Sequence, residues 1–382
     1  MTDTFIQLDN LTKTFPGTTE PAVDELSLDV CEGEIVMLVG PSGCGKTTTM
    51  KMINRLVEPT SGRIIIGGQD VTDANPDELR RGIGYVIQQG GLFPHMRVRD
   101  NVAAVLQLLK WSSTKISQRV DEMLDLVGLD PAVYRDRYPK QLSGGQRQRV
   151  GVARALAADP PIMLLDEPFG AVDPIVRERL QDEFLRLQRE ICKTIVFVTH
   201  DLTEAIKMGD RIAIVRDHSA VAQFDTPARI LAKPANEFVR DFLGENAELR
   251  ALSLLEVTSD MLSTLPSISV EPGEVDPARA QGPATVVIQD GRPVGWVTAD
   301  ASDRTFLPVE PLVLGPRTHL ADAVGQMVRV GAPAAILVDE AGQLVGCLEF
   351  SAVPRAVVHA AAGSAPKSDR VDKEVADADH RA

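Results

Sequence analysis

The sequence predicts an α/β protein in which a mostly parallel sheet is interrupted by a helical segment and followed by a smaller α+β domain. Short β-branched runs alternate with helical segments up to about residue 235. The strand pattern is absent between about residues 98 and 138, where apolar residues take helical spacing, and composition shifts after residue 242. The strand candidates are residues 35–39, 63–66, 162–165, 195–198 and 212–215.

The same features divide the chain into predicted parts: residues 1–242, a second domain over residues 250–356, and a tail over residues 359–382. The second domain holds two similar blocks, residues 284–300 and 333–350. Each block reads as an apolar strand, an acidic turn with glycine, and a second strand beginning at Gly295 or Gly346, which implies a pair of related β-α-β units. The tail has almost no large apolar residue, so we expect it to be disordered.

Composition excludes several classes of protein. The 382 residues carry a net charge of −14, which argues against nucleic acid as a partner because such binding draws its affinity from cationic contacts to phosphates. We find no run of 18 apolar residues and no signal peptide, so we expect a cytoplasmic protein without a membrane span of its own. The four cysteines form no CxxC pair, which fits a reducing compartment without a disulfide frame or zinc site.

A phosphate-binding loop is predicted at residues 40–47, whose sequence GPSGCGKT matches GxxxxGK[ST] directly after the strand EIVMLV. The glycines let backbone N–H groups turn toward phosphate oxygens, and the following helix directs its positive end at them. Lys46 would reach the β- and γ-phosphates of ATP, and Thr47 would bind Mg²⁺. The predicted ATP-binding residues here are Gly40, Pro41, Ser42, Gly43, Cys44, Gly45, Lys46, Thr47 and Thr48.

An acidic pair ends a second buried strand, IMLLDE. Asp166 would lie at the carboxyl end of this strand, near the phosphate loop, where it can hold Mg²⁺ through water. Glu167 would point toward the attacking water as a general base. The pattern is weak alone, but it supplies the partner that a phosphate loop requires.

The sequence LSGGQ precedes the strongly helical run RQRVGVARALAAD. Its serine and second glycine would therefore lie at a helix N-terminus that can bind an anion. The residues are Leu142, Ser143, Gly144, Gly145 and Gln146.

With these three motifs in order, residues 5–240 resemble the ATP-binding subunit of an ABC transporter. The resemblance implies a P-loop NTPase fold with a RecA-like core and a helical subdomain. It implies ATP and Mg²⁺ as cofactors and ATP hydrolysis as the activity.

The resemblance also assigns further residues. Phe15 falls where the family stacks an aromatic ring on adenine. Gln88 falls at the Q-loop glutamine, a third ligand for Mg²⁺ beside Thr47 and Asp166, although Gln89 is adjacent. Asp173 is the aspartate of the D-loop, here GAVD. His200, after the strand IVFV, is the switch histidine, so that Glu167, His200 and Gln88 form the expected catalytic set.

Such subunits close as a head-to-tail pair, here a homodimer or a pair with a close paralogue. Ser143 and Gly145 would then complete the ATP site of the partner. The loop after Gln88 would meet a cytoplasmic helix of one of two membrane permease subunits, which holds the chain at the inner face of the cell membrane. An extracytoplasmic solute-binding protein would deliver the cargo.

The second domain is similar to a tandem CBS pair, which either regulates transport or only stabilises the dimer. An importer ATPase followed by a CBS pair resembles the osmoprotectant family, which imports glycine betaine, carnitine, choline or proline betaine. Another small solute, such as an amino acid or a polyamine, is the alternative cargo. A soluble ABC protein without transport function is far less compatible, because the chain has one cassette and no long heptad segment.

Overall fold

The computed structural model describes residues 4–87, 91–170, 173–244, 247–271, 284–300, 303–315 and 318–355. The chain divides into two units, Met1–Asn246 and Ala247–Ala382. Gln88, Gln89 and the predicted tail lie outside the described residues.

The first unit is built on a six-stranded sheet with the order β10-β9-β3-β8-β7-β6. Only β9 and β10 pair antiparallel, and every other neighbouring pair is parallel. Every residue of β3, β7 and β8 is buried, as expected where helices cover both faces of a parallel sheet. The strands are β3 (Ile35–Val39), β6 (Ile83–Val86), β7 (Ile162–Asp166), β8 (Thr194–Thr199), β9 (Arg211–Val215) and β10 (Val221–Asp225).

A second sheet of this unit is antiparallel, with the order β2-β1-β4-β5. The prediction that residues 63–66 join the parallel sheet is wrong, because they belong to β4. The reason is one-sided burial: Ile64 is buried whereas Arg63 is exposed, which suits a sheet with one face toward solvent. The strands are β1 (Thr4–Lys13), β2 (Val23–Cys31), β4 (Ser61–Ile66) and β5 (Gln69–Asp70).

The helical segment predicted over residues 98–138 is present as α3, α4 and α5. Val98, Val102 and Leu106, one turn apart, are the buried face of α3. Both α3 and α4 pack on α6, the helix that follows LSGGQ. The helices of the first unit are α1 (Lys46–Ile53), α2 (Pro76–Arg81), α3 (Val98–Leu108), α4 (Ser113–Leu126), α5 (Pro131–Tyr134), α6 (Gly144–Leu156), α7 (Pro174–Ile191), α8 (Leu202–Met208), α9 (Pro227–Ala232) and α10 (Glu237–Leu243).

In the second unit, both repeated blocks form antiparallel hairpins, β12–β13 and β16–β17. Their second strands begin at Arg292 and Leu344, before the glycines at which they were predicted to begin. In the second half, β15 and β16 are parallel and α12 lies between them in sequence, which is the predicted β-α-β unit. The elements are α11 (Ala247–Ala251), β11 (Ser267–Val270), β12 (Ala284–Gln289), β13 (Arg292–Asp300), β14 (Asp303–Pro308), β15 (Leu312–Val313), α12 (Leu320–Val330), β16 (Ala334–Val338) and β17 (Leu344–Glu349).

Candidate functional site

The predicted phosphate loop joins the carboxyl end of β3 to the first residue of α1. Its glycines are structurally required: a Cβ at Gly40 would overlap the Val215 carbonyl oxygen. Gly43 and Gly45 have φ of 85° and 105°, a conformation that L side chains rarely adopt. The strands β3, β8 and β7 are neighbours in the sheet. The loop that follows β3 therefore lies at the same edge as the residues that follow β7 and β8.

Lys46 places a positive charge on this loop. The side chain is buried, and its Nζ donates hydrogen bonds to the carbonyl oxygens of Gly40 and Pro41, each at 2.8 Å. Nζ also lies 3.6 Å from Cys44 Sγ, and within the part of the chain that the structure describes no carboxylate forms an ion pair with it. Pro41, Ser42 and Gly43, by contrast, are exposed. The loop therefore combines a fixed cation with accessible backbone, which suits a phosphate ligand.

Asp166, the last residue of β7, lies against the phosphate loop. Its Oδ1 accepts a hydrogen bond from the Thr47 hydroxyl at 3.3 Å. Burial raises the pKa of Asp166 above its ordinary value. The hydrogen bond from Thr47 lowers this pKa in part, and the neighbouring Glu167 raises it. Lys51 and Lys46 lower this pKa in turn, as expected because a nearby cation stabilises a buried carboxylate.

The donors fit Mg²⁺, which prefers hard oxygen ligands and keeps several waters and substrate phosphates. Thr47 and Asp166 would supply two such oxygens. Among the described residues no group of three or more His, Cys, Asp or Glu side chains is placed to hold a metal by itself. The site therefore suits a metal that arrives with nucleotide phosphates.

Glu167 and His200 form the second half of the site. Glu167 follows β7, and its amide donates to the Val198 carbonyl of β8 at 2.9 Å. His200 follows β8, and its Nδ1 lies 3.0 Å from Glu167 Oε1. Glu167 has φ of 44°, a left-handed conformation that is rare outside glycine and that concentrates at functional sites. The two strand ends thus set a carboxylate and an imidazole in direct contact.

A polar layer that sequence reasoning missed lies beside this pair. Arg177 donates to Asp201 at 3.5 Å, and the Asp201 carboxylate accepts from Thr203 N at 2.8 Å at the start of α8. Glu204 accepts from Gln181 at 3.1 Å, and burial raises the pKa of Glu204. Spacing did not predict this layer, because α7 and α8 are brought together only by the fold.

The LSGGQ residues form an N-cap. The Ser143 hydroxyl accepts from Gln146 N at 3.2 Å, and Ser143 N donates to Gln146 Oε1 at 2.9 Å, a reciprocal capping box at the start of α6. Gln146 Nε2 also donates to the Tyr134 hydroxyl at 3.0 Å. Leu142 is buried, whereas Ser143 is exposed and available to a ligand or partner.

The remaining predicted residues lie in other segments of the first unit. Phe15 is partly exposed, with Lys13 Nζ 5.2 Å from its ring centroid. Asp173 caps α7 by accepting from Ile175 N at 3.0 Å. Thr48 is half-buried in α1. Gln88 lies outside the described residues, so the structure does not test its assignment.

The loop predicted to meet a membrane subunit is held by a residue that the motifs did not indicate. Asn101, fully buried in α3, accepts from Phe93 N at 2.7 Å and donates to the carbonyls of Met96 at 3.2 Å and Arg97 at 3.0 Å. Arg154 of α6 donates to the Gly91 carbonyl at 2.8 Å. Phe93 itself is exposed at this surface.

The fold and motifs have clear counterparts among known proteins. The model of the ABC transporter family matches residues 23–170. The osmoprotectant import ATP-binding protein OsmV of Salmonella typhimurium is 49% identical over 303 residues, covering 76% of this chain and 78% of the relative. The chain belongs to the family of ABC transporter ATP-binding proteins. It is therefore an ATPase of that family, and the predicted family and fold class are confirmed.

Other relatives differ in how much of the chain they match. The choline transport ATP-binding protein OpuBA of Bacillus subtilis is 44% identical and covers 89% of this chain and 93% of the relative. The spermidine/putrescine import ATP-binding protein PotA of Chromobacterium violaceum is 45% identical but covers 63% of this chain and 64% of the relative. A solved dimeric structure of the ATP-binding cassette MJ0796 with ADP and Pi is 37% identical, with a TM-score of 0.53, and covers 58% of this chain and 98% of that one. Among the described residues, no helix is both long and apolar enough to cross a bilayer.

Proposed function

We propose that this ATPase is the energy-coupling subunit of an importer for quaternary-amine osmoprotectants such as glycine betaine. The observation that carries the ATPase site is the meeting of three strand ends at one edge, which brings the phosphate loop, Asp166 and the Glu167–His200 pair together. The cargo rests on the names of the relatives that match the chain beyond its first unit.

In the proposed site, backbone N–H groups of the loop and the Lys46 ammonium bind the phosphates of ATP. Thr47 and Asp166 would hold Mg²⁺, which supplies charge neutralisation of the phosphate oxygens. Gln88 is expected to join them as a further ligand. Phe15 offers a ring face for the adenine.

Glu167 is proposed to take the proton of the attacking water. Its carboxylate projects from the strand end next to Asp166, and His200 Nδ1 contacts one of its oxygens. In the neutral imidazole, an N–H at Nδ1 would donate to that oxygen and fix the orientation of the carboxylate toward the attacking water. His200 therefore orients the base, and its exposed ring can meet the γ-phosphate.

Two copies of the chain are proposed to enclose ATP head to tail. In the capping box the Ser143 oxygen accepts from Gln146 N, which leaves its O–H proton to donate, together with first-turn amides of α6, to a phosphate of a ligand from outside the chain. Asp173 caps α7, and a Cβ at Gly145 would lie 3.6 Å from Val176 in the first turn of that helix. The signature residues of one copy would thus complete the phosphate site of the other.

The permease subunits are the proposed partners on the exposed loop that contains Phe93. Asn101 of α3 and Arg154 of α6 hold this loop, through hydrogen bonds to the backbone of Phe93 and of Gly91 respectively. A loop held in this way transmits movement of α3 and α6 instead of flexing. Binding there would place the chain at the cytoplasmic face of the membrane, with an extracytoplasmic solute-binding protein delivering the cargo.

Coverage of the relatives favours an osmoprotectant over a polyamine. The match to the choline transport protein covers 89% of the chain, more than the first unit, Met1–Asn246, can contain. The match to the spermidine/putrescine protein covers 240 residues, no more than the length of that unit. The second unit is therefore shared with an osmoprotectant-type relative.

We propose that the second unit is a CBS pair. Its two hairpins have a glycine at the same place, opposite Val287 in the first and Leu337 in the second. A Cβ at Gly295 would overlap the Leu307 carbonyl oxygen, and a Cβ at Gly346 would lie 2.9 Å from Leu262 Cβ. The repeated glycines thus have the same physical cause, close approach of a neighbouring segment.

Cargo is tested by uptake in cells that lack other betaine importers and express this chain with its permease and binding protein. We expect labelled glycine betaine to enter at high external osmolarity, with competition by choline and none by spermidine. Uptake of labelled spermidine, with none of betaine, would contradict the osmoprotectant assignment and leave the ATPase assignment intact.

A further inference from the structure

The turn between β9 and β10 packs against the phosphate loop. Ser219 in this turn is fully buried. Its N–H donates to the Cys44 carbonyl oxygen at 2.7 Å, and its hydroxyl donates to the same oxygen at 3.0 Å. Two donors from one residue thus occupy both lone pairs of a phosphate-loop carbonyl.

We propose that Ser219 is a positioning residue for phosphate binding, an inference that rests on the nucleotide site proposed above. The peptide bond between Cys44 and Gly45 is trans, so its N–H points opposite to its C=O. When Ser219 holds the Cys44 carbonyl toward the turn, the Gly45 N–H is directed away from the turn. That is the direction from which a phosphate would bind the loop.

Surrounding contacts hold Ser219 in this position. The backbone of Ser219 has φ of 58° and that of His218 has φ of 60°, conformations that cost free energy in residues other than glycine and persist only where neighbours enforce them. A Cβ at Gly45 would overlap the Ser219 hydroxyl oxygen, so loop and turn are in direct contact. The Thr49 hydroxyl, in the first turn of α1, lies 3.4 Å from the same oxygen.

Loss of the hydroxyl should therefore loosen one phosphate-binding amide without removing a group that touches the reacting atoms. We expect Ser219→Ala to weaken binding of the fluorescent nucleotide MANT-ATP about two- to ten-fold, the range of one hydrogen bond. The maximal ATPase rate at saturating ATP should change by less than about two-fold, because the loss is one of ground-state binding. Fluorescence titration and steady-state kinetics of the purified full chain measure the two quantities.

Two further variants separate positioning from folding. Ser219→Gly also removes the hydroxyl but relieves the left-handed backbone, so it should fold at least as well and still bind MANT-ATP weakly. Ser263→Ala is the control in the second unit, where the N–H and hydroxyl of Ser263 donate to the Cys347 carbonyl at 2.9 and 3.2 Å and the hydroxyl also donates to Glu349 Oε1 at 2.8 Å. It removes the same kind of bond and should leave nucleotide affinity unchanged.

Normal affinity in Ser219→Gly would overturn the positioning role, since the hydroxyl would then be dispensable. An equal loss in Ser263→Ala would also overturn it, because the effect would be general destabilisation. Lys46→Ala distinguishes the two proposals: if it binds MANT-ATP as the unaltered chain does, the proposed nucleotide site itself is wrong. If Lys46→Ala fails to bind while both Ser219 variants bind normally, only the role of Ser219 is lost.

Discussion

Glu167→Gln removes the proposed proton acceptor while preserving the size of the side chain. Glu167 Oε1 lies 3.0 Å from His200 Nδ1, and the glutamine carbonyl can accept the same hydrogen bond. Both residues meet the same cost for the backbone φ of 44°, so the strand end should keep its geometry. The variant therefore tests charge and proton transfer, with little change in packing.

The expected loss follows from the role of the residue. A positioned general base contributes about 10²- to 10⁴-fold to a reaction rate, so the barrier should rise by roughly 3 to 5 kcal/mol. Affinity for ATP should be retained, because Lys46, Thr47 and Asp166 are unchanged and Lys46 is held by the backbone carbonyls of the loop. The ATPase rate should thus fall without a parallel loss of nucleotide binding.

The assay is phosphate release by the purified full chain at saturating ATP and Mg²⁺, with MANT-ATP titration of each variant. Glu178→Gln is the matched control, because that side chain is 76% exposed and its Oε1 lies 4.0 Å from Lys207 Nζ. Its rate should stay within about two-fold of the unaltered chain, as expected for a surface ion pair. A Glu167→Gln rate within about three-fold of normal would refute the general-base role, since such a base contributes far more.

Three further predictions concern the other parts of the site. Lys46→Ala should weaken MANT-ATP binding at least about ten-fold, because a charge-assisted contact to phosphate is lost; unaltered binding would contradict this. Asp166→Asn should abolish Mg²⁺-dependent hydrolysis yet stabilise the nucleotide-free chain to urea near neutral pH, because it removes a buried charge. Since burial raises the pKa of Asp166, this gain in unfolding free energy should shrink as pH falls through the raised pKa and the aspartate becomes neutral. Ser143→Ala and the cap variant Ser112→Ala should each cost about 1 kcal/mol of unfolding free energy, but only Ser143→Ala should lower ATPase activity. Equal activity in those two variants would contradict the proposal that Ser143 completes the ATP site of a second copy.

Much of the parallel sheet could be predicted from the sequence, since IVMLV and IMLLD are buried at every position and bear the apolar runs typical of such strands. The motifs at their ends could be placed for the same reason, because parallel strands present their carboxyl ends at one edge. Direct contact between Glu167 and His200 follows from β7 and β8 being neighbours, which the motif order alone does not state.

Residues that act through contacts remote in sequence could not be predicted. Ser219 and Cys44 are 175 positions apart, and Ser219 belongs to no motif. Asn101 reads as one polar residue in an amphipathic helix, and only the fold shows it bonded to the backbone of the Phe93 loop. The strand over residues 63–66 was assigned to the wrong sheet, because four residues are too few for one-sided burial to be distinguished from complete burial.

Coupling of hydrolysis to import is the central claim, and uptake by Glu167→Gln tests it most directly. Cells lacking other betaine importers would express the permease and binding protein with the unaltered chain, with Glu167→Gln or with Glu178→Gln, at equal protein levels. Labelled glycine betaine should accumulate at high osmolarity with the unaltered chain and the control, and should not accumulate with Glu167→Gln. Equal accumulation with Glu167→Gln would contradict the account, because import would then not depend on hydrolysis at this site.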